Sequence, residues 1–168
     1  HKNNLKSFQM ALACDPISAF GGIVSCNYKI NKSLATELNK NFLEVVIGNG
    51  FENEALKILK KRKNLRLIDA SQFVIKDLIK FSSVNESILA QSEDLKKFTI
   101  NDFKVVSKKK PSKSQLKNLI FSFNICRYVK SNAIVLASEE TTVGIGSGQP
   151  SRLDSCQIAI SKMNKFLK

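Results

Sequence analysis

Gly144-Ile145-Gly146-Ser147-Gly148-Gln149-Pro150-Ser151-Arg152 is the stretch whose reading decides the fold. Three glycines at every second position end a strand pattern. A helix pattern follows from about Arg152, with Leu153, Cys156, Ile160, Met163 and Leu167 at inward spacing. A strand that runs straight into a helix is a building unit of layered α/β folds. Upstream, Ala133 to Ala137 is wholly apolar, as a strand buried on both faces would be. Ser138 to Thr141 turns the chain, and Thr142 to Ile145 returns. Ser112-Lys113-Ser114-Gln115 reads as a capping box, in which the serine hydroxyl takes a free amide and the glutamine reaches back. It predicts a helix to about Lys130 with Leu116, Leu119, Ile120 and Phe123 as its core stripe.

The first seventy residues alternate in the same way. Residues 3–13 predict a helix with Leu5, Phe8 and Leu12 on one side, broken at Cys14-Asp15-Pro16. Gly21-Gly22 leads into a strand at Ile23 to Cys26. A helix over 32–41 is capped by Asn31, and Glu44-Val45-Val46-Ile47 is a short buried strand. A helix over 52–63 turns Ala55, Leu56 and Leu59 inward, and Leu65 to Ile68 is a strand again. Residues 70–102 are polar and weakly periodic. Within and just after them, Ser87 to Gln91 and Phe103 to Ser107 read as strands. No internal repeat or linker divides the chain, so one α/β domain is expected.

Composition narrows the function. The 168 residues carry a formal net charge of +13, which invites a nucleic-acid reading. Lysines outnumber arginines 23 to 4, however, and the basic runs Lys57 to Lys63 and Lys108 to Lys110 lack interleaved aromatics for stacking bases. A partner other than nucleic acid is therefore expected. No run of 18 apolar residues suits a membrane, and the first residues lack a signal-peptide pattern, so a cytoplasmic protein is expected. Cys14, Cys26, Cys126 and Cys156 are widely spaced and His1 is the sole histidine, so no zinc site and no activated cysteine is expected.

Two places suit chemistry. Asp15-Pro16-Ile17-Ser18-Ala19-Phe20-Gly21-Gly22 is either a tight helix-to-strand turn or a place where a ligand meets bare backbone. The Gly144 to Arg152 stretch is either a strand crossing another backbone closely, or an anion site with free helix amides and the Arg152 guanidinium. It has neither Rossmann nor P-loop spacing. Asn132, entering an apolar strand, either caps the preceding helix or faces a site, and Glu44 is either a solvated strand end or a ligand grip.

These segments together resemble the AICAR transformylase family. The Asp15 to Gly22 segment is similar to its D-P-x-S-A-F-G-G block. Glu44-Val45-Val46-Ile47 with Phe51-Glu52-Asn53-Glu54-Ala55-Leu56, then Lys130-Ser131-Asn132-Ala133-Ile134-Val135, then Gly144 to Arg152, resemble three further blocks in family order. Ser147 and Pro150 depart mildly from it. The resemblance implies a cytidine deaminase-like three-layer α/β sandwich, here incomplete and without the deaminase zinc ligands. It implies transfer of a formyl group from 10-formyltetrahydrofolate to the 5-amino group of AICAR, giving FAICAR for purine synthesis, in a homodimer with shared sites. It implies AICAR contacts at Gly21 and Glu44 from one subunit and at Asn132 and Arg152 from the other, with Leu153 lining the folate pocket. The family's catalytic Lys-His pair lies in a K-H-x-N-P-C-G block before the Asp15-Pro16 segment, and His1-Lys2 does not match it. The implied chain is thus a central part of the transformylase region, without the cyclohydrolase domain or the C-terminal segment, carrying no catalytic residue and inactive alone. The other readings are a basic nucleic-acid-binding module and a degenerate nucleotide-binding domain.

Overall fold

The computed structural model describes residues 1–74 and 79–166. Its mixed α/β architecture agrees with the alternation in the sequence. Helix α1 (Asn4–Ala13) is capped by the Asn3 side chain. Strand β1 (Gly22–Cys26), helix α2 (Lys32–Leu38), strand β2 (Leu43–Gly48), helix α3 (Asn53–Leu59) and strand β3 (Arg66–Asp69) follow. The three strands form a parallel sheet in the order β1-β2-β3. Both helices are shorter than their apolar spacing predicts, and Arg62 shows why for α2. Its guanidinium donates to the carbonyls of Asn39 and Asn41, which satisfies the helix end with a side chain.

The core of this half lies between the helices and one face of the sheet. Ile30, Leu34, Leu38, Val46 and Leu59 are fully buried, with Phe8 of α1 against them. Each such side chain contributes roughly 1.5–3 kcal/mol by leaving water. The other sheet face is open. The register places Ile23 beside Val45, and Ile47 beside Ile68, with Ile23 67% and Ile68 48% exposed. Parallel sheets are ordinarily covered on both faces.

Strands β4 (Ile79–Val84) and β5 (Ser87–Ser92) form an antiparallel hairpin exposed along its whole length. The strand expected at Ser87 to Gln91 is therefore present. The strand expected at Phe103 to Ser107 is not. Phe103 has extended backbone, but no neighbouring strand among the described residues pairs with the segment. The segment is held by side chains instead. Phe98, Phe103 and Phe123 pack edge to face, and the Asn124 side chain bonds both the amide and the carbonyl of Phe98.

The predicted capping box opens helix α4 (Lys113–Cys126), with Ser112 Oγ accepting from the Gln115 amide and Gln115 Oε1 accepting from the Ser112 amide. The helix ends at Cys126, not Lys130, and its apolar stripe is not core, since Leu119 and Phe123 are about half exposed. Strands β6 (Ile134–Ser138) and β7 (Thr141–Gly146) pair antiparallel, and helix α5 (Arg152–Phe166) packs on them. With β7 its one strand partner among the described residues, β6 is half-buried, not sealed on both faces as its apolar run predicts.

Helix α5 also turns a different side inward than its large apolar residues suggest. Leu153 is 74% exposed, while Ser155 and Ala159 are fully buried. Leu167 lies outside the described residues. The cause is the glycine strand. A Cβ on Gly146 would sit 1.9 Å from the Ser155 carbonyl oxygen, and one on Gly144 would sit 2.2 Å from that of Ala159. The helix backbone thus fills the space where side chains would stand, and only small residues fit the contact.

Two variants probe this half of the molecule, one at the helix contact and one at the β6–β7 turn. Gly146→Ala is expected to lower stability by about 3 kcal/mol or more, because neither backbone has room to retreat. Glu139 and Glu140, which turn β6 into β7, both hold positive φ (50° and 53°), a region costing a non-glycine residue about 1–2 kcal/mol. Replacing them by Asn-Gly is expected to raise the urea midpoint, by about 1 kcal/mol or more in stability.

Candidate functional site

The four expected contact residues form two patches. In the first, Gly21 has φ +69° and donates its amide to the Phe42 carbonyl. A Cβ built on it would lie 3.7 Å from Glu44 Oε1, so the glycine backbone and the carboxylate face one another. Glu44 is exposed, and its side chain has no ion-pair partner among the described residues. Phe20 and Phe42 stack beside this patch with ring centroids 4.8 Å apart, and Phe20 is 77% exposed. Nothing in the sequence pattern singled out that aromatic shelf, because Phe42 is separated from Phe20 in the chain and joins it only through sheet pairing.

In the second patch Asn132 neither caps α4 nor stands free. Its Nδ2 donates to the carbonyls of Gln149 (3.0 Å) and Pro150 (2.9 Å), and its own carbonyl accepts from Ser155 Oγ at 2.7 Å. These bonds tie the entry of β6 to the turn that starts α5. Both Nδ2 hydrogens are thereby used, while Oδ1 accepts nothing from the described residues. Arg152, in the first turn of α5, is exposed and has no carboxylate partner among the described residues. Leu153 stands exposed beside it. Gly144 and Gly146 are not part of an anion loop, since close helix packing accounts for both. Gly148, with φ +66°, is free of the helix: a Cβ there would meet the Lys130 side chain at 3.8 Å.

No hydrogen bond or salt bridge among the described residues joins a member of one patch to a member of the other. One long-range contact connects the elements that carry them. Lys162 of α5 meets Asp15, just ahead of the Gly21 turn, at 2.5 Å. Burial by itself would raise the Asp15 carboxyl, but the hydrogen bonds from Lys162 and Ser18 outweigh it and hold it at about 2. Lys162 is one of 23 lysines, and no spacing signal marks it.

The geometry defines a class first: an α/β chain that offers two strand-end patches, each with polar groups that have no protein partner among the described residues. Residues 1–162 match the family described as the AICARFT/IMPCHase bienzyme, and the chain belongs to that family. It is 42% identical over 162 residues to the bifunctional purine biosynthesis protein PurH of Leptospira biflexa serovar Patoc, covering 96% of this chain and 32% of that protein. The PurH proteins of Brachyspira hyodysenteriae and Staphylococcus carnosus are also 42% identical, over 94% of this chain and 30% and 32% of their own lengths. The chain therefore spans about a third of the length of the curated relatives it matches. Among the described residues no helix is long and apolar enough to cross a membrane. No cluster of three or more His, Cys, Asp or Glu is placed to hold a metal ion there.

The Asp15 carboxyl yields a pH prediction. Its folded value lies below the usual 3.8, so its stabilisation is fully present above about pH 4 and is lost as pH falls toward 2. Asp15→Asn is expected to lower stability by about 1 kcal/mol at pH 6, since the lysine end is partly solvated. Denaturant titrations at pH 6 and pH 2.5 check this: the difference between variant and parent is expected to shrink at the lower pH.

Proposed function

We propose that the chain supplies two half-sites for AICAR in a formyltransferase that uses 10-formyltetrahydrofolate, the reaction of its family's transformylase part. The observation that carries this reading is a set of polar groups the fold does not use. Glu44, the Asn132 amide oxygen and Arg152 have no protein partner among the described residues, whereas Arg62 and Arg127 are committed to carbonyls and carboxylates of the fold. Glu44 and the Asn132 oxygen accept N–H or O–H groups of an aminoimidazole nucleotide, and Arg152 donates to its anionic or carbonyl oxygens. Leu153 offers an apolar wall to the folate. The bare backbone at Gly21 allows the nucleotide to lie against the strand end.

The separation of the two patches within one chain supports a homodimer in which Gly21 and Glu44 of one copy face Asn132 and Arg152 of the other. The open face of the β1-β2-β3 sheet and the exposed hairpin support a larger fold. We take this to be the cytidine deaminase-like three-layer sandwich, of which residues 1–168 form a central part. A cytoplasmic location and a ligand other than nucleic acid belong to the same reading. The 5-amino group of AICAR is a weak nucleophile because its lone pair is drawn into the ring carboxamide. The half-sites act by orienting that amine toward the formyl carbon, and proton transfer falls to groups outside this chain.

Isothermal titration of the chain with AICAR is expected to show binding that Arg152→Ala weakens at least tenfold, and equal affinity of the two would overturn the assignment. The isolated chain is expected to release no tetrahydrofolate from 10-formyltetrahydrofolate. Residues 1–162 grafted in place of the matched region of the Leptospira protein are expected to retain formyl transfer. A graft that binds AICAR but transfers nothing would favour a degenerate binding domain. Tight DNA or RNA binding that falls steeply with salt would favour the basic module instead.

A further inference from the structure

The Lys162–Asp15 contact joins residues 147 positions apart. It differs from an ordinary surface pair in four ways. The distance is short, 2.5 Å, and the Asp15 side chain is only 19% exposed. Both carboxylate oxygens are engaged, because Oδ2 meets Lys162 while Oδ1 accepts the Ser18 amide at 3.0 Å. The pair also borders an open depression of about 430 Å³, whose walls include Ile17 and Ser18 of the turn and Ile158, Ser161 and Phe166 of α5. The charge pair thus ties the turn to the helix across the rim of this depression.

Position gives the pin its consequence. Six residues after Asp15 the chain reaches Gly21, which faces Glu44. Ten residues before Lys162, about 15 Å along a helix axis, stands Arg152. Helix α5 is held rigidly at the Arg152 end by Ser155 Oγ on the Asn132 carbonyl and by its backbone contact with Gly144 and Gly146. At its far end the turn is tied to the sheet by the Gly21 amide donating to the Phe42 carbonyl, but between Asp15 and Phe20 no other long-range backbone bond is present among the described residues. Its internal bonds are short-range, with Phe20 donating to Ile17 and Gly22 to Ala19.

We propose that Lys162 is a positioning residue for nucleotide binding: acting through Asp15, it fixes the turn that presents Gly21 relative to the helix that presents Arg152. This rests on reading Gly21 and Arg152 as nucleotide contacts. Lys162 itself touches no ligand. It sets the spacing of two half-sites carried by one chain, and hence the shape of every pocket those half-sites build.

The test uses Lys162→Met, which keeps chain length without charge, Lys162→Arg, which keeps the charge, and Asp15→Asn, which keeps the acceptor for Ser18. Two readouts are taken: AICAR affinity by isothermal titration, and amide hydrogen exchange across residues 17–22. Lys162→Met and Asp15→Asn are each expected to weaken AICAR at least fivefold and to speed exchange in the turn at least fivefold. Lys162→Arg is expected to stay within twofold of the parent in both. Combining Asp15→Asn with Lys162→Met is expected to add little beyond either alone, as for partners in one contact. Parent-like affinity in Lys162→Met and Asp15→Asn would overturn the proposal, as would failure of Lys162→Arg to rescue. If Lys162→Met does not fold, Asp15→Asn decides. Should the parent chain itself bind no AICAR, the nucleotide reading falls. The exchange data then judge the clamp separately, and unchanged exchange at 17–22 overturns it.

Discussion

The backbone of α5 lies against β7 without an intervening layer of side chains, and the rest of the second half of the molecule is arranged around that contact. Ser155 and Ala159 present carbonyl oxygens where Gly146 and Gly144 would otherwise carry a Cβ. A helix that close leaves no freedom in its own height or rotation. Three placements follow. Ser155 comes within hydrogen-bond reach of the Asn132 carbonyl, so the start of β6 and the turn before α5 are knitted together. Arg152 is carried out of the packed contact into solvent at the first turn. Lys162, further along, is delivered to Asp15.

The two glycine-flanked turns therefore owe their behaviour to different causes. Gly144 and Gly146 are glycines because a helix backbone occupies the adjacent space, and no ligand is required to explain them. Gly21 is a glycine because its φ is positive and because the space beyond it opens toward Glu44. A side chain there would be strained and would also fill the approach to the carboxylate. Structural and ligand-facing glycines can look identical in sequence. They separate only when one asks which atom a Cβ would strike.

That difference governs what the sequence reveals. Elements fixed by local chemistry were legible: the Ser112–Gln115 capping box, the Asn31 cap, and the strand-helix alternation through Asp69. Part of the core was legible, because Phe8, Ala55 and Leu59 stand at inward helical spacing and are buried. Features fixed by long-range contact were not. The inward face of α5 was misread from its large residues, although Ser155 and Ala159, four apart, opposite Gly146 and Gly144, two apart, form a small-on-small pattern that a reader can look for. Hairpin β4–β5 was faint because exposure on both faces removes the apolar alternation that marks a strand. Phe103 to Ser107 has strand composition, but composition cannot supply a pairing partner. Glu44, Asn132 and Arg152 stood out as polar groups placed at the edges of apolar elements, whereas Lys162 was lost among many lysines.

The charge of the chain takes on a different meaning once its arginines are located. Arg127 pins the segment at Lys96 and pairs with Asp94, and Arg62 closes the end of α2. Two of the four planar, multidentate donors in the chain are thus spent on its own backbone. Arg152 is held in position by a rigid helix and has no carboxylate partner among the described residues, a combination suited to gripping one small ligand. A nucleic-acid surface needs many forks spread over an extended face. Lysines on solvated helices and strands can raise the net charge without building such a face, because each remains a hydrated point charge with no fixed geometry. The +13 is spread over many lysines, while the recognition proposed above rests on a few oriented groups. Their usefulness depends on how rigidly α5 and the Asp15 turn are joined.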